Sequence, residues 1–183
     1  WVPNNPSMQE KGIADSREDA LAYFRSLDHG EMSDDSLGAF VDEGANALQF
    51  LTERGALDLQ LLDGYPDYYL DNPGAKADGG RALDNALFDF TSLGDWSDTV
   101  YNGGEIVRMM LLETPLGGGS GIVDPDEMKR RVEGDLRGWG QALIGRLLKA
   151  CLDRGFEISL ETTARNLELQ EGRVVGATVT CDG

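Results

Sequence analysis

Apolar positions recur every three or four residues in three stretches of the chain, and every second residue near its end. Ala20, Leu21, Phe24 and Leu27 form the first stripe, behind Asp15-Ser16-Arg17-Glu18. Asp or Ser can accept an orphan backbone amide there, and Glu18 lies three residues past Asp15 as in a capping box, so a helix is predicted over 17–27. Ser33-Asp34-Asp35 opens the second stripe, in which Leu37, Phe40, Val41, Gly44, Leu48 and Leu51 share a face. That predicts a helix over 35–54, stopped by Gly55. Leu143, Ile144, Leu147, Leu148, Cys151 and Leu152 form the third stripe, on a helix predicted over 139–153 and closed by Arg154-Gly155. Phe156, Ile158 and Leu160 then alternate as a strand, and Leu167 with Leu169 begins another. Gly172 marks a turn into a third strand carrying Val174, Val175, Ala177 and Val179.

The remaining stretches are punctuated by Gly and Pro. Residues 1–14 read as a loop around Pro3, Asn4, Asn5 and Pro6. The apolar stretch 56–62 reads as a strand or packed extended segment, and 63–82 as an irregular loop of a length that usually serves a site. Glu105–Leu112 is expected to be helical. The run Leu116 to Gly121 reads as a flexible break, and Asp124-Pro125 opens a helix predicted over 125–133. The last third is therefore helix, strand and hairpin, and its helix-strand pair suits a parallel α/β sheet whose other strands lie outside this chain.

Composition narrows the classes of function. A chain of 183 residues with 40% apolar content suits one domain with a sizeable core. Thirty-three acids against 16 bases give a net charge of −17, which argues against nucleic acid or an anionic membrane as partner. Two isolated cysteines, Cys151 and Cys181, imply neither a disulfide framework nor a zinc site, so a reducing cytoplasm is expected. No apolar run approaches the roughly 18 residues of a spanning helix, and no signal segment opens the chain. It starts at Trp1 and stops at Cys181-Asp182-Gly183, so both ends are expected to be cut from something longer.

Few motifs carry chemistry by themselves. The glycine run 116–121 lacks the Lys-Ser/Thr of a P-loop and the Gly-x-Gly-x-x-Gly order. Gly138-Trp139-Gly140 precedes a helix and could face an anion, but glycines there more often permit close packing. His29 is the only histidine, in a polar segment between two helices, so no metal cluster is expected and a surface position is. Tyr65-Pro66-Asp67-Tyr68-Tyr69 places three tyrosines on the Gly/Pro-rich loop. From the residues alone this reads first as aromatic packing, with support of a general base or the lining of an apolar pocket as the alternatives.

Four segments together resemble the FAD-dependent 3-ketosteroid dehydrogenases of the fumarate reductase/succinate dehydrogenase flavoprotein superfamily. They are Trp1-Val2-Pro3-Asn4-Asn5-Pro6 with Asp15-Ser16-Arg17-Glu18-Asp19-Ala20 and Tyr23; Pro66-Asp67-Tyr68-Tyr69 with Gly80-Arg81; Gly140 to Leu148; and Glu171 to Ala177. The order is that of the family, and the third and fourth recur more widely among flavoproteins. The resemblance implies an α/β chain, α+β in appearance, forming the central part of a Rossmann-like FAD-binding domain over 1–183. Residues 1–137 would be a mostly helical and loop insertion, and 138–183 the helix, strand and hairpin. It implies FAD as cofactor and a steroid-like ketone that loses hydride to the flavin and a proton to a tyrosine base. Tyr68 matches the tyrosine that supports that base, Tyr65 a ring lining the steroid pocket, Trp1 and Val2 the end of the flavin-covering segment, and Thr163 a backbone contact to the adenine. The phosphate-binding turn, the acidic ribose ligand, the base tyrosine and the tyrosine that polarises the ketone are all expected outside the chain, so the piece alone is expected to be inactive. The other readings are a fumarate- or acrylate-type reductase segment and a non-catalytic acidic interaction domain.

Overall fold

The computed structural model describes residues 1–181, in two compact units that divide between Ala150 and Cys151. The first unit opens with a short helix, α1 (Pro6–Glu10), where a loop is predicted. Asn5 caps it: its Oδ1 accepts the Met8 amide at 3.1 Å, and Pro6 needs no amide partner at the first helical position. Two helices follow where the apolar stripes place them, α2 (Arg17–Leu27) and α3 (Asp34–Glu53). Ser16 and Ser33 cap them by accepting the amides of Asp19 and Ser36. Ala20 and Leu21 of α2 pack on Leu37 and Val41 of α3, all buried, with Phe24 beside them. A fully buried Leu or Val contributes roughly 1.5–3 kcal/mol, so this small contact is enough to hold the two helices together.

Strand β1 (Leu59–Asp63) pairs antiparallel with β2 (Gly79–Asn85), with an irregularity between Leu61 and Asp63. A second antiparallel pair joins β3 (Phe88–Asp89) to β4 (Leu136–Arg137). Between them lie 3-10 turns at Phe90–Thr99, Leu111–Glu113 and Pro115–Gly117, then α4 (Pro125–Glu133), and α5 (Trp139–Leu152) follows β4. The glycine run is folded, since Gly117 and Gly119 lie against the backbone of Leu111 and Glu113.

The helix expected over Glu105–Leu112 does not form. Its carbonyls are taken by other parts of the unit: Val107 accepts the Gly138 amide at 2.7 Å, Glu105 the Gln141 side chain at 2.7 Å, and Arg108 the Arg131 guanidinium at 2.9 Å. Tertiary partners outbid the local pattern here. The helix α5 forms, but on a different face from the stripe. Gln141, Ala142 and Gly145 are buried, Ile144 and Cys151 are exposed, and Leu143, Leu147 and Leu148 are half-buried. Aromatic rings explain the choice: a Cβ on Gly145 would meet Phe88 and Phe90 at 2.8–2.9 Å, so only a small residue lets α5 approach them.

The second unit is a long hairpin, β5 (Thr162–Gln170) with β6 (Arg173–Cys181), turned at Glu171-Gly172, both of positive φ. The strand expected over 156–160 is absent: alternation is present, but no strand lies beside it, and Phe156 and Leu160 are 63% and 54% exposed. The chain is thus a mix of helices and strands in which every strand pair among the described residues is antiparallel, and the parallel sheet expected around 143–160 is not seen in them.

Candidate functional site

The residues that converge in the first unit do so around one buried cation. Arg81, on β2, is fully buried. Its Nε and Nη2 donate to the two oxygens of Asp15 at 2.9 and 2.7 Å, and its Nη1 donates to Asp67 Oδ2 at 2.8 Å and to the Gly74 carbonyl at 3.0 Å. A buried charge survives only when paired and hydrogen-bonded, and here one guanidinium serves two carboxylates whose side chains are also out of solvent. Burial acts to raise the Asp15 pKa, but the bonds and charge of Arg81, with the amides of Ser16 and Asn4, outweigh it and leave the carboxyl below its ordinary value. Burial likewise acts against the Arg81 charge, and Asp15 and Asp67 overcome it to raise that pKa.

This cluster ties three distant segments to β2. Asn5 Nδ2 donates to the carbonyls of Val2 and Gly80 at 2.9 Å each, and the Val2 amide donates to Arg81 at 2.8 Å, which lays the first residues along the strand. Asp15 fixes the start of α2. Asp67 fixes the tyrosine loop, which is closed on itself by the Asp67 amide to the Lys76 carbonyl at 3.0 Å and the Lys76 amide to Asp67 Oδ2 at 2.9 Å. The strand can pass beneath that loop because residue 79 is glycine: a Cβ there would sit 2.5 Å from the Tyr65 carbonyl oxygen, and φ is +74°.

The result is a largely apolar cavity of about 430 Å³. One side is a chain of rings: Trp1 stacks on Tyr23 with centroids 5.7 Å apart, meets Phe24 edge-on at 4.8 Å, and Phe24 meets Phe40 edge-on at 5.2 Å. The Trp1 indole N–H donates to Asp67 Oδ1, and its ring lies 4.9 Å from the Arg81 guanidinium carbon. Tyr65, Pro66, Tyr68 and Tyr69 line the cavity from the loop. The Tyr65 hydroxyl donates to the Tyr68 hydroxyl at 3.4 Å, a long bond, and this donation, with some burial, raises the Tyr65 pKa. Tyr68 is 82% exposed. Tyr23 accepts the Tyr69 amide at 3.2 Å, which pins the far end of the loop to α2. Such a cavity suits a planar apolar ring system that presents one polar atom to the phenols. It does not suit a phosphate or carboxylate through Arg81, which is fully buried and whose charge already serves Asp15 and Asp67.

Of the residues singled out from sequence, Trp1, Tyr65 and Tyr68 are brought together at this cavity. Val2 lies next to it against β2 and α3, where a Cβ on Gly44 would be 3.2 Å from Val2 Cγ1. Thr163 belongs to the second unit, exposed on β5 opposite Thr180. His29 is exposed between α2 and α3. Sequence reasoning missed the Arg81-Asp15-Asp67 cluster. Asp15 reads as a helix cap, and no spacing along the chain joins it to residues 67 and 81.

Residues 1–182 match the family described as the FAD binding domain. The chain belongs to that family. FAD is the family's cofactor. Among its relatives is a 4-oxocyclohexanecarboxylate 2-dehydrogenase of Sinomonas cyclohexanicum, 31% identical over 91% of this chain and 29% of that protein. A 3-oxosteroid 1-dehydrogenase of Mycolicibacterium smegmatis is 26% identical over 96% of this chain and 33% of its own length. The crystal structure of 3-ketosteroid delta1-dehydrogenase from Sterolibacterium denitrificans, in complex with 1,4-androstadiene-3,17-dione, superposes over the whole of this chain and 36% of that one, with a TM-score of 0.77 and 29% identity. The FAD-binding chain thus spans about a third of the length of these relatives. No helix among its described residues is long and apolar enough to cross a membrane.

Proposed function

We propose that the protein carrying this chain is an FAD-dependent oxidoreductase that dehydrogenates a 3-ketosteroid-like ring ketone. Residues 1–183 would form the central part of its Rossmann-like FAD-binding domain, with 1–137 as a mostly helical and loop insertion. The observation that carries the reading is the apolar cavity where the Trp1 ring and the Tyr65–Tyr68 hydroxyl pair meet. Support for the substrate class comes from relatives named for oxo-substituted rings.

Bound FAD would supply the hydride acceptor for the ring carbon. Trp1 and Val2 would hold the flavin from the segment laid along β2, and Thr163 would meet the adenine through its backbone. Tyr65 and the aromatic wall would exclude water and seat the apolar ring. The proton lost from the neighbouring carbon goes to a base outside these residues, and Tyr68 supports that base. Its oxygen accepts from Tyr65, which leaves its own O–H to donate onward. A fumarate- or acrylate-type reduction would need cations for a substrate carboxylate, and neither exposed His29 nor committed Arg81 favours it. Both the electron acceptor and the cellular compartment are open to direct assay.

The test is turnover of a 3-oxosteroid with an artificial electron acceptor. Tyr68→Phe is expected to lower kcat by at least about tenfold, less than the roughly 10²–10⁴ of a group that itself transfers the proton, because Tyr68 only supports the base. Unchanged turnover would remove Tyr68 from the mechanism, and reduction of an unsaturated acid without steroid oxidation would replace the reading.

A further inference from the structure

Packing holds Tyr68 weakly, through the edge-on approach of the Tyr65 ring with centroids 6.3 Å apart. The Tyr68 side chain is 82% exposed, and its one side-chain hydrogen bond in the structure is the long 3.4 Å contact to Tyr65. An exposed phenol with free rotation of the backbone beneath it would sample many positions, so the constraint must come through the chain on either side. On the C-terminal side the Tyr69 amide donates to Tyr23. On the N-terminal side the adjacent residue is Asp67, only 5% exposed, and both of its oxygens are used. Oδ1 accepts the Trp1 indole, and Oδ2 accepts Arg81 and the Lys76 amide. The carboxylate therefore hydrogen-bonds to the aromatic wall, the buried cation and the tyrosine loop together.

We propose that Asp67 is a positioning residue that couples the Trp1 ring to the Tyr68 hydroxyl, so that wall and phenol face the cavity in one arrangement. The turnover arm of this inference rests on the dehydrogenase reading above; the Trp1 arm does not. An amide at this position keeps the shape but not the acceptor pattern. Its NH2 must face either the Trp1 N–H or the Arg81 N–H, donor against donor. The loop end then loses one of its two anchors while the rest of the cavity wall stays in place.

Asp67→Asn in the whole flavin-loaded protein tests this, in a background where Trp96, Trp139 and every tryptophan elsewhere in the protein are changed to Phe, so that Trp1 alone reports. Asp67→Asn is expected to lower kcat on a 3-oxosteroid by about tenfold or more, the scale set by misplacement of a reacting group. KM should stay within about threefold, because apolar seating is retained. Acrylamide quenching of Trp1 emission should rise in the same variant. It should not rise in Tyr68→Phe, which leaves Asp67 intact. Should Asp67→Asn fail to fold, Trp1→Phe carries the test, since it removes the indole N–H while leaving a ring against Tyr23 and Phe24, and it must also lower kcat more than it changes KM. Folded Asp67→Asn with wild-type kcat and wild-type quenching would overturn the proposal, as would full activity in Trp1→Phe where Asp67→Asn does not fold. If the unmutated protein oxidises no ring ketone, the dehydrogenase reading fails, and the quenching comparison still decides whether Asp67 holds Trp1.

Discussion

Replacing Arg81 with Met removes the guanidinium and keeps most of the side-chain volume. Four hydrogen bonds are lost: two to Asp15, one to Asp67 and one to the Gly74 carbonyl. Two carboxylates then remain out of solvent with no cation. Breaking a buried pair by deleting one partner costs about 3–5 kcal/mol. The loss should stay in that range rather than double, because Asp15 keeps the Ser16 and Asn4 amides and Asp67 keeps the Lys76 amide and the Trp1 indole. Urea denaturation followed by circular dichroism measures it. Arg17→Met is the control, since the Arg17–Asp42 pair is half-exposed and its loss should barely move the midpoint. pH supplies an independent sign. In the unaltered chain the Asp15 pKa is lowered, so its stabilisation is present above the unfolded carboxyl pKa and is lost as pH falls through the folded one. Without Arg81, burial dominates and the folded pKa moves up, so the deficit of the variant should shrink on acidification. Equal losses for the Arg81 and Arg17 variants, or a deficit that grows as pH falls, would refute the claim that this cluster anchors the unit.

Gly145→Ala should destabilise by about 1–3 kcal/mol in a thermal melt, because the new methyl meets Phe88 and Phe90 and α5 must back away. The Glu127 carboxyl, hydrogen-bonded to Arg130 and Arg131, should titrate at about 2 by NMR and move back toward the usual carboxylate range in Arg131→Ala. In Tyr68→Phe the Tyr65 phenol loses the oxygen it donates to, so its pKa should fall toward the ordinary value, measurable by ultraviolet titration in alkali.

Helix starts were the most legible part of the fold. Ser16, Ser33 and Asp124 announce α2, α3 and α4 because a side-chain acceptor before an apolar stripe is a local signal read by local physics. By the same rule Asn5-Pro6 could have announced α1, which has an Asn cap and Pro at the first helical position; five residues were simply too short to show a stripe. The turn at Glu171-Gly172 was equally local. The other failures were places where a distant partner, or the lack of one, decides. Glu105–Leu112 has helical spacing, yet Arg131, Gly138 and Gln141 claim its carbonyls. Phe156 to Leu160 alternates like a strand, and alternation without a neighbour to pair with makes no strand.

The site divides along the same line, and the division says what the tyrosine segment is for. Trp1, Tyr65 and Tyr68 were legible as candidates through resemblance, and Tyr65 to Tyr69 read from the residues alone first as aromatic packing, with base support or pocket lining as alternatives. That bland reading is half right. Tyr23 and Trp1 pack against each other, whereas Tyr68 meets the Tyr65 ring edge-on and is otherwise mostly in solvent. A large ring left in solvent while its immediate neighbour is buried and fully bonded is an arrangement that packing does not produce. It follows from a loop whose backbone is held so that one side chain need not be. The holding group is a charge cluster drawn from residues 15, 67 and 81, spread over more than sixty positions. Helical and strand periodicity are blind to such a cluster, because each member has a plausible local duty: Asp15 as a cap, Asp67 as a turn acid, Arg81 as a strand-edge cation. Only the fold shows that the three satisfy one another, and the exposed phenol beside them is what supports the role proposed for Tyr68.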